Sequence, residues 1–130
     1  MIVCDTHVLV YDALGNKPLS QAARRALERG AATGELACSD VSVWELADLI
    51  SKRRIPAFGD ARTAITQILA ARDVRVLPID AEIAVTAAGL LAGKTDPIDR
   101  LIAATAIAHN APLISADERL HGIPGLRIIW

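Results

Sequence analysis

Apolar residues along this chain fall into two rhythms. Short, nearly continuous runs stand at IVC (2–4), ELACS (35–39), VRVLPI (74–79), PLIS (112–115) and LRIIW (126–130). They have the length of strands buried on both faces. Between them lie longer stretches with helical spacing: 6–14, 19–30 (LSQAARRALERG), 40–54 (DVSVWELADLISKRR), 61–72, 81–93 and 97–110. GNKP reads as a turn, Gly30 and Gly93 as helix ends, and Asp40 or Ser42 as the cap of the third helix. Apolar strands separated by helices predict a parallel sheet covered on both faces. The expected fold is therefore α/β: a three-layer α/β/α sandwich around a mostly parallel sheet of about five strands, one domain over 1–130. No linker, low-complexity segment or internal repeat interrupts the pattern.

Composition narrows the picture. A chain of 130 residues suits one core. Although 52% of it is apolar, no run approaches the roughly 18 residues of a membrane span. The opening MIVCDTHVLV has no basic stretch and carries Asp5, so no signal peptide is expected, and the expected location is cytoplasmic. Cys4 and Cys38 both lie in apolar runs and read as reduced core thiols. A net charge of −1 leaves no broad basic footprint for nucleic acid. Any such activity must rest on a local site.

In a parallel sheet, sites form beyond the carboxyl ends of the strands. Asp5 directly follows the first strand, Asp117 follows PLIS by two residues, and Glu45 sits one turn into the helix after ELACS. Asp96 and Asp99 open the last long helix. Asp96, before Pro97, has the makings of an N-cap. Asp99 shares a helical stripe with Ile102, Ala103 and Ala106, where an unpaired charge is costly. Glu45 likewise has Val41 and Leu49 one turn away on either side. Asp5 and Asp117 have plainer readings as cap or turn residues, and Ser115 competes with Asp117 for the cap.

Together, four or five carboxylates at one sheet end repel each other unless a cation joins them. No Lys or Arg is expected at these strand ends, although Arg100 adjoins Asp99. Oxygen ligands alone favour a hard metal, Mg²⁺ or Mn²⁺. Such an ion activates water and polarises a phosphoryl oxygen, which points to phosphodiester hydrolysis.

The same residues resemble the PIN domain, and within it the VapC-type toxins of toxin–antitoxin pairs. IVCDTHVLVY is similar to that family's opening aspartate motif and SVWELADLISKRRI to its glutamate helix. DPIDRLIAATA and PLISADERL are similar to its third and fourth acidic motifs, in the family's order and over essentially the whole chain. The resemblance implies Asp5, Glu45, Asp99 and Asp117 as metal-binding catalytic acids, with Asp96 as an extra acid that caps, binds through water, or both. Ser115 stands where the family often has threonine, and Thr6 is placed to bond a ligand or water. The resemblance further implies an endoribonuclease using one or two Mg²⁺ ions and leaving 5′-phosphate and 3′-hydroxyl ends. It implies a homodimer, and a cognate VapB-like antitoxin that pushes a side chain into the acidic site.

Lys52, Arg53, Arg54, Lys94 and Arg100 are the basic residues near these motifs and the candidates for RNA phosphate contacts, against a reading as solvated surface. His7, His109 and His121 lack metal-ligand spacing and read as core or surface. Trp44 and Trp130 read as core or dimer contacts, since aromatics are only 3% of the chain. A receiver-like signalling domain would want paired acids after its first strand, where Thr6 and His7 follow Asp5. An aspartate phosphatase would want a second acid at position 7, and a PIN-fold module without catalysis usually lacks an acid that is present here.

Overall fold

Five short strands form a single parallel sheet: β1 (Ile2–Cys4), β2 (Leu36–Ser39), β3 (Arg75–Leu77), β4 (Leu113–Ile114) and β5 (Ile128–Ile129). Their order is β3-β2-β1-β4-β5, with every neighbouring pair parallel. The computed structural model describes residues 1–57, 59–90 and 95–130. Within these, the helices are α1 (Thr6–Leu14), α2 (Gln21–Thr33), α3 (Asp40–Ser51), α4 (Ala61–Ala70), α5 (Ala81–Gly89) and α6 (Pro97–Ala108). A short 3-10 turn, Glu118–Leu120, follows β4.

Alternation along the strands divides the core. Ile2, Cys4, Leu36, Cys38 and Ile114 face α1, α2 and the Ile68–Leu69 side of α4. Val3, Ala37 and Leu113 face the opposite way, onto Ile102, Ala103 and Ala106 of α6. Helix α5 packs outside α6 through Ile83 and Ala87 against Ala104. Helix α3 joins the layers, with Leu46 against Val10 and Val41 against the α6 cluster. The three-layer expectation holds.

The strands are shorter than their apolar runs because proline lacks a ladder donor. Pro78 follows β3 directly and Pro112 precedes β4. β3 is also an edge strand with Arg75 and Val76 exposed, not one buried on both faces. Gly30 does not end α2, which continues to Thr33 and closes on Gly34 at φ 67°. A Cβ on Gly30 would collide with Leu36, its Cγ only 2.9 Å away, so this glycine lets the helix lie close on the sheet. The capping expectation for α3 is also corrected. Ser39 takes the cap position without a side-chain bond, and Asp40 instead accepts from Ile79 N at 3.1 Å. The expected end of α5 at Gly93 lies outside the described residues. Cys4 and Cys38 are free and buried, and burial pushes the Cys38 thiol up to about 12. No described helix is long and apolar enough to cross a membrane.

Candidate active site

The strand order places a crevice where the topology reverses. The chain runs from β1 to β2 and β3 on one side, while β4 and β5 lie on the other. Ligands gather outside the carboxyl ends at such a point. Asp5 leaves β1 there, and Ser115 to Asp117 leave β4 beside it.

Asp5 N donates to Ile114 O at 3.0 Å, extending the ladder by one bond. The Asp5 carboxylate makes no cap bond to α1 although the residue sits at the cap position. Its Oδ2 instead accepts from Ser115 Oγ at 2.7 Å, with His7 Nδ1 at 3.5 Å. Ser115 Oγ in turn accepts from Asp117 N at 3.1 Å. This one buried hydroxyl therefore orients two of the acids. Ser115→Ala is expected to cost about 1–3 kcal/mol, because the buried Asp5 carboxylate loses its closest donor. A urea titration checks this, and a loss below the error of the midpoint would show that Asp5 finds another donor.

Helix α6 delivers the next acid. Asp96 Oδ1 accepts from Ile98 N at 2.8 Å, with Pro97 at the first helical position, so the helix starts at this point. Ile102, Ala103 and Ala106 are fully buried and hold that face of the helix against the sheet. Asp99 is thereby carried to the crevice with its side chain 18% exposed. Across from it Asp117, 14% exposed, accepts from Arg119 Nε at 2.9 Å through Oδ1 and from Arg119 Nη2 at 2.8 Å through Oδ2. The same Nη2 donates to Asp99 Oδ2 at 3.1 Å. One guanidinium nitrogen thus joins two carboxylates.

The acids share one field. Burial first, then the charges of Asp5 and Asp117, push the Asp99 carboxyl up to about 6 against the pull of Arg119. The hydrogen bond from Arg119 holds the Asp117 carboxyl below the usual range. Glu45, half-buried on α3, is raised chiefly by burial, then by Asp5 and Asp96, while the nearby Thr6 hydroxyl and His7 oppose the rise. Thr6 Oγ1 is buried and closes no full hydrogen bond. That leaves a donor beside Glu45 unspent.

Residues 2–126 match the PIN domain family. The chain belongs to the PIN domain family. It is 35% identical to Ribonuclease VapC22 of Mycobacterium tuberculosis, over 99% of this chain and 98% of that protein. Among solved structures it resembles VapBC2 from Rickettsia felis bound to a promoter DNA fragment, with a TM-score of 0.72 at 23% identity over 98% of this chain and 97% of that one. It also resembles VapBC-5 from Mycobacterium tuberculosis, with a TM-score of 0.62 at 25% identity over 98% and 96% of the two chains. This PIN domain is of the VapC type.

The donor set of this PIN domain suits a hard divalent cation. It offers carboxylate oxygens, two of which already meet on one cationic nitrogen. As the side chains stand, no three acid, histidine or cysteine groups among the described residues converge tightly enough to hold a metal ion. Asp99 and Asp117 are engaged by Arg119, and no hydrogen bond or ion pair among the described residues ties Glu45 to the other acids.

Two residues at this site escaped the sequence reading. The expectation that no Lys or Arg stands at the strand ends is wrong, because Arg119 does. Its signal lay in SADERL: an aspartate that accepts from the backbone N–H two residues on, here Arg119 N at 2.9 Å, folds that residue back onto itself. The other is His7. Ala116 N donates to its Nε2 at 2.9 Å, so the ring proton lies on Nδ1, facing Asp5. Burial lowers the affinity of His7 for a second proton, while the Asp5 bond and the charges of Asp5, Asp117 and Asp99 outweigh this and raise it. A second proton on Nε2 would break the Ala116 bond, and that geometry favours the neutral ring. Tyr11 and Trp130 pack on His7 at ring distances of 5.4 and 6.2 Å.

The basic candidates are dispersed. Arg100 turns from Asp99 to line a small groove with Ala84, Ala87 and Leu101 between α5 and α6. Lys52 pairs with Asp48 at 2.7 Å, and Arg53 is exposed in a left-handed conformation at φ 57°. Lys94 lies outside the described residues. His109 and His121 are exposed, as is Trp44.

Proposed function

We propose that this VapC-type PIN domain is a divalent-metal-dependent endoribonuclease, using Mg²⁺ or Mn²⁺, and the toxin of a toxin–antitoxin pair. The observation that supports the reading is the shared field of Asp5, Asp99 and Asp117 beyond the ends of β1 and β4, where burial first and then the charges of Asp5 and Asp117 raise the Asp99 carboxyl. A relative that is a ribonuclease along nearly its whole length supports RNA as the substrate. Structural neighbours that are toxin–antitoxin complexes support a VapB-like antitoxin as partner. A homodimer in the cytoplasm belongs to the same proposal.

Asp5, Asp99, Asp117 and Glu45 would hold the ion. Asp96, its Oδ1 engaged as a cap, contributes through water at the rim. The bound ion supplies electrophilic pull on a phosphoryl oxygen and eases loss of a proton from water. Glu45, its carboxyl raised, is the group poised to take that proton. Ser115, bonded on both sides, positions acids in this scheme. Thr6 Oγ1 is the substrate-side contact in this scheme, with the exposed Arg53 and with Arg100 as phosphate contacts farther out.

Purified protein incubated with a mixed RNA pool tests the reading. Fragments with 5′-phosphates are expected with Mg²⁺ or Mn²⁺, and none with EDTA. Intact RNA under every metal condition, with Mn²⁺ still bound in calorimetry, would favour an acidic-pocket binding module instead.

A further inference from the structure

We infer that Arg119 is a built-in counterion that competes with the divalent cation for Asp99 and Asp117, so that it must swing out before the ion is held. The inference rests on the metal-nuclease reading and adds a control step to it.

The contacts carry the argument. Arg119 Nη2 lies 3.1 Å from Asp99 Oδ2 and 2.8 Å from Asp117 Oδ2, and Nε lies 2.9 Å from Asp117 Oδ1. It therefore uses both oxygens of Asp117 and one of Asp99. Charge-assisted and forked bonds of this kind have strict geometry, which leaves no place for a metal on the same lone pairs. Among the described residues, no third acid, histidine or cysteine closes on the pair.

The arginine is also free to leave. Its side chain is 60% exposed, whereas those of Asp99 and Asp117 are 18% and 14% exposed. Withdrawing the guanidinium uncovers no core. The backbone stays fixed, because the next residue, Leu120, is fully buried among Leu113, Ile102 and Ile123. Arg119 is thus tethered within reach of the acids by the turn and attached to them through an exposed, hydrogen-bonded guanidinium. Before an ion binds, it relieves the mutual repulsion of Asp5, Asp99 and Asp117 that would otherwise oppose folding.

Competition has a measurable size. If the arginine is closed on the acids about nine-tenths of the time, the apparent Kd for the ion is raised about tenfold. Calorimetric titration of Mn²⁺ into the full chain should therefore give a Kd about tenfold tighter for Arg119→Gln than for wild type. In wild type itself, the Arg119 Nε–H resonance should move towards that of a solvated arginine when Mg²⁺ is added, a readout that needs no substitution. Equal Mn²⁺ affinity in both proteins, or an unmoved Arg119 resonance at saturating Mg²⁺, would overturn the inference and leave the metal site standing. Failure of either protein to bind Mn²⁺ at millimolar concentration would overturn the metal reading and this inference together.

Discussion

Asp99→Asn is expected to reduce metal-dependent RNA cleavage by about a hundredfold or more, while raising the stability of the metal-free protein. The two effects have one cause. Removing even an outer partner of a metal ligand costs about 10–100-fold, and removing a ligand itself costs at least as much. The stability effect follows from the raised carboxyl, and its sign is fixed by linkage. With a folded value of about 6 against 3.8 for a free aspartate, native protein holds an extra proton between those limits. Stability therefore falls as pH rises through that window, and the loss is complete above pH 6. A shift of about two units corresponds to roughly 3 kcal/mol at most. Asparagine removes the penalty but weakens the bond to Arg119, so a net gain of roughly 1–2 kcal/mol is expected at pH 7.5, shrinking to nothing near pH 4. Thermal melts in EDTA at the two pH values, beside cleavage assays with Mn²⁺, check both halves. A variant that melts lower at pH 7.5 would mean that Asp99 is held by its bond to Arg119 more than it is strained by its neighbours. Metal affinity in wild type is expected to rise through the same window, because the ion competes with that proton.

Ile102→Ala is expected to cost about 2–5 kcal/mol, the range for a large aliphatic side chain truncated in a packed core. Ile102 is 0% exposed and lies between Val3, Leu77 and Leu113 on the inner face of α6. Domains of this size are stable by about 5–15 kcal/mol, so the loss is a large share. A urea titration should show a lower midpoint with an unchanged slope. Because Ile102 lies one turn beyond Asp99, cleavage by the folded fraction should also weaken if α6 shifts into the cavity. A stability loss below about 1 kcal/mol would show that α6 is anchored elsewhere.

Much of this was legible along the chain, for reasons that are local. Continuous apolar runs and helical spacing report what each residue must bury, so the five strands and six helices of the described residues were readable. The positions of Asp5 and Asp117 just after strands, and of Glu45 and Asp99 near the starts of α3 and α6, were readable for the same reason. So was the cap formed by Asp96, since Asp-Pro at a helix start needs only its own neighbours. The misread ends are also instructive. Gly30 looked like a helix stop, but the constraint on it is Leu36 passing across the helix. Asp40 looked like a cap, yet its carboxylate is claimed by Ile79 N, 39 residues away.

By itself, the sequence determined the layers and the inventory of acids, because periodicity and strand-end position depend on near neighbours. Only the tertiary structure decided the strand order, and with it the crevice between β1 and β4, since pairing across a sheet joins residues that no local pattern relates. Ser115 reaches Asp5 across 110 positions of chain, and Arg119 reaches Asp99 across 20. Whether those acids are held apart, joined by a cation or oriented by a hydroxyl is set by distances of about 3 Å, which exist only once the sheet has formed.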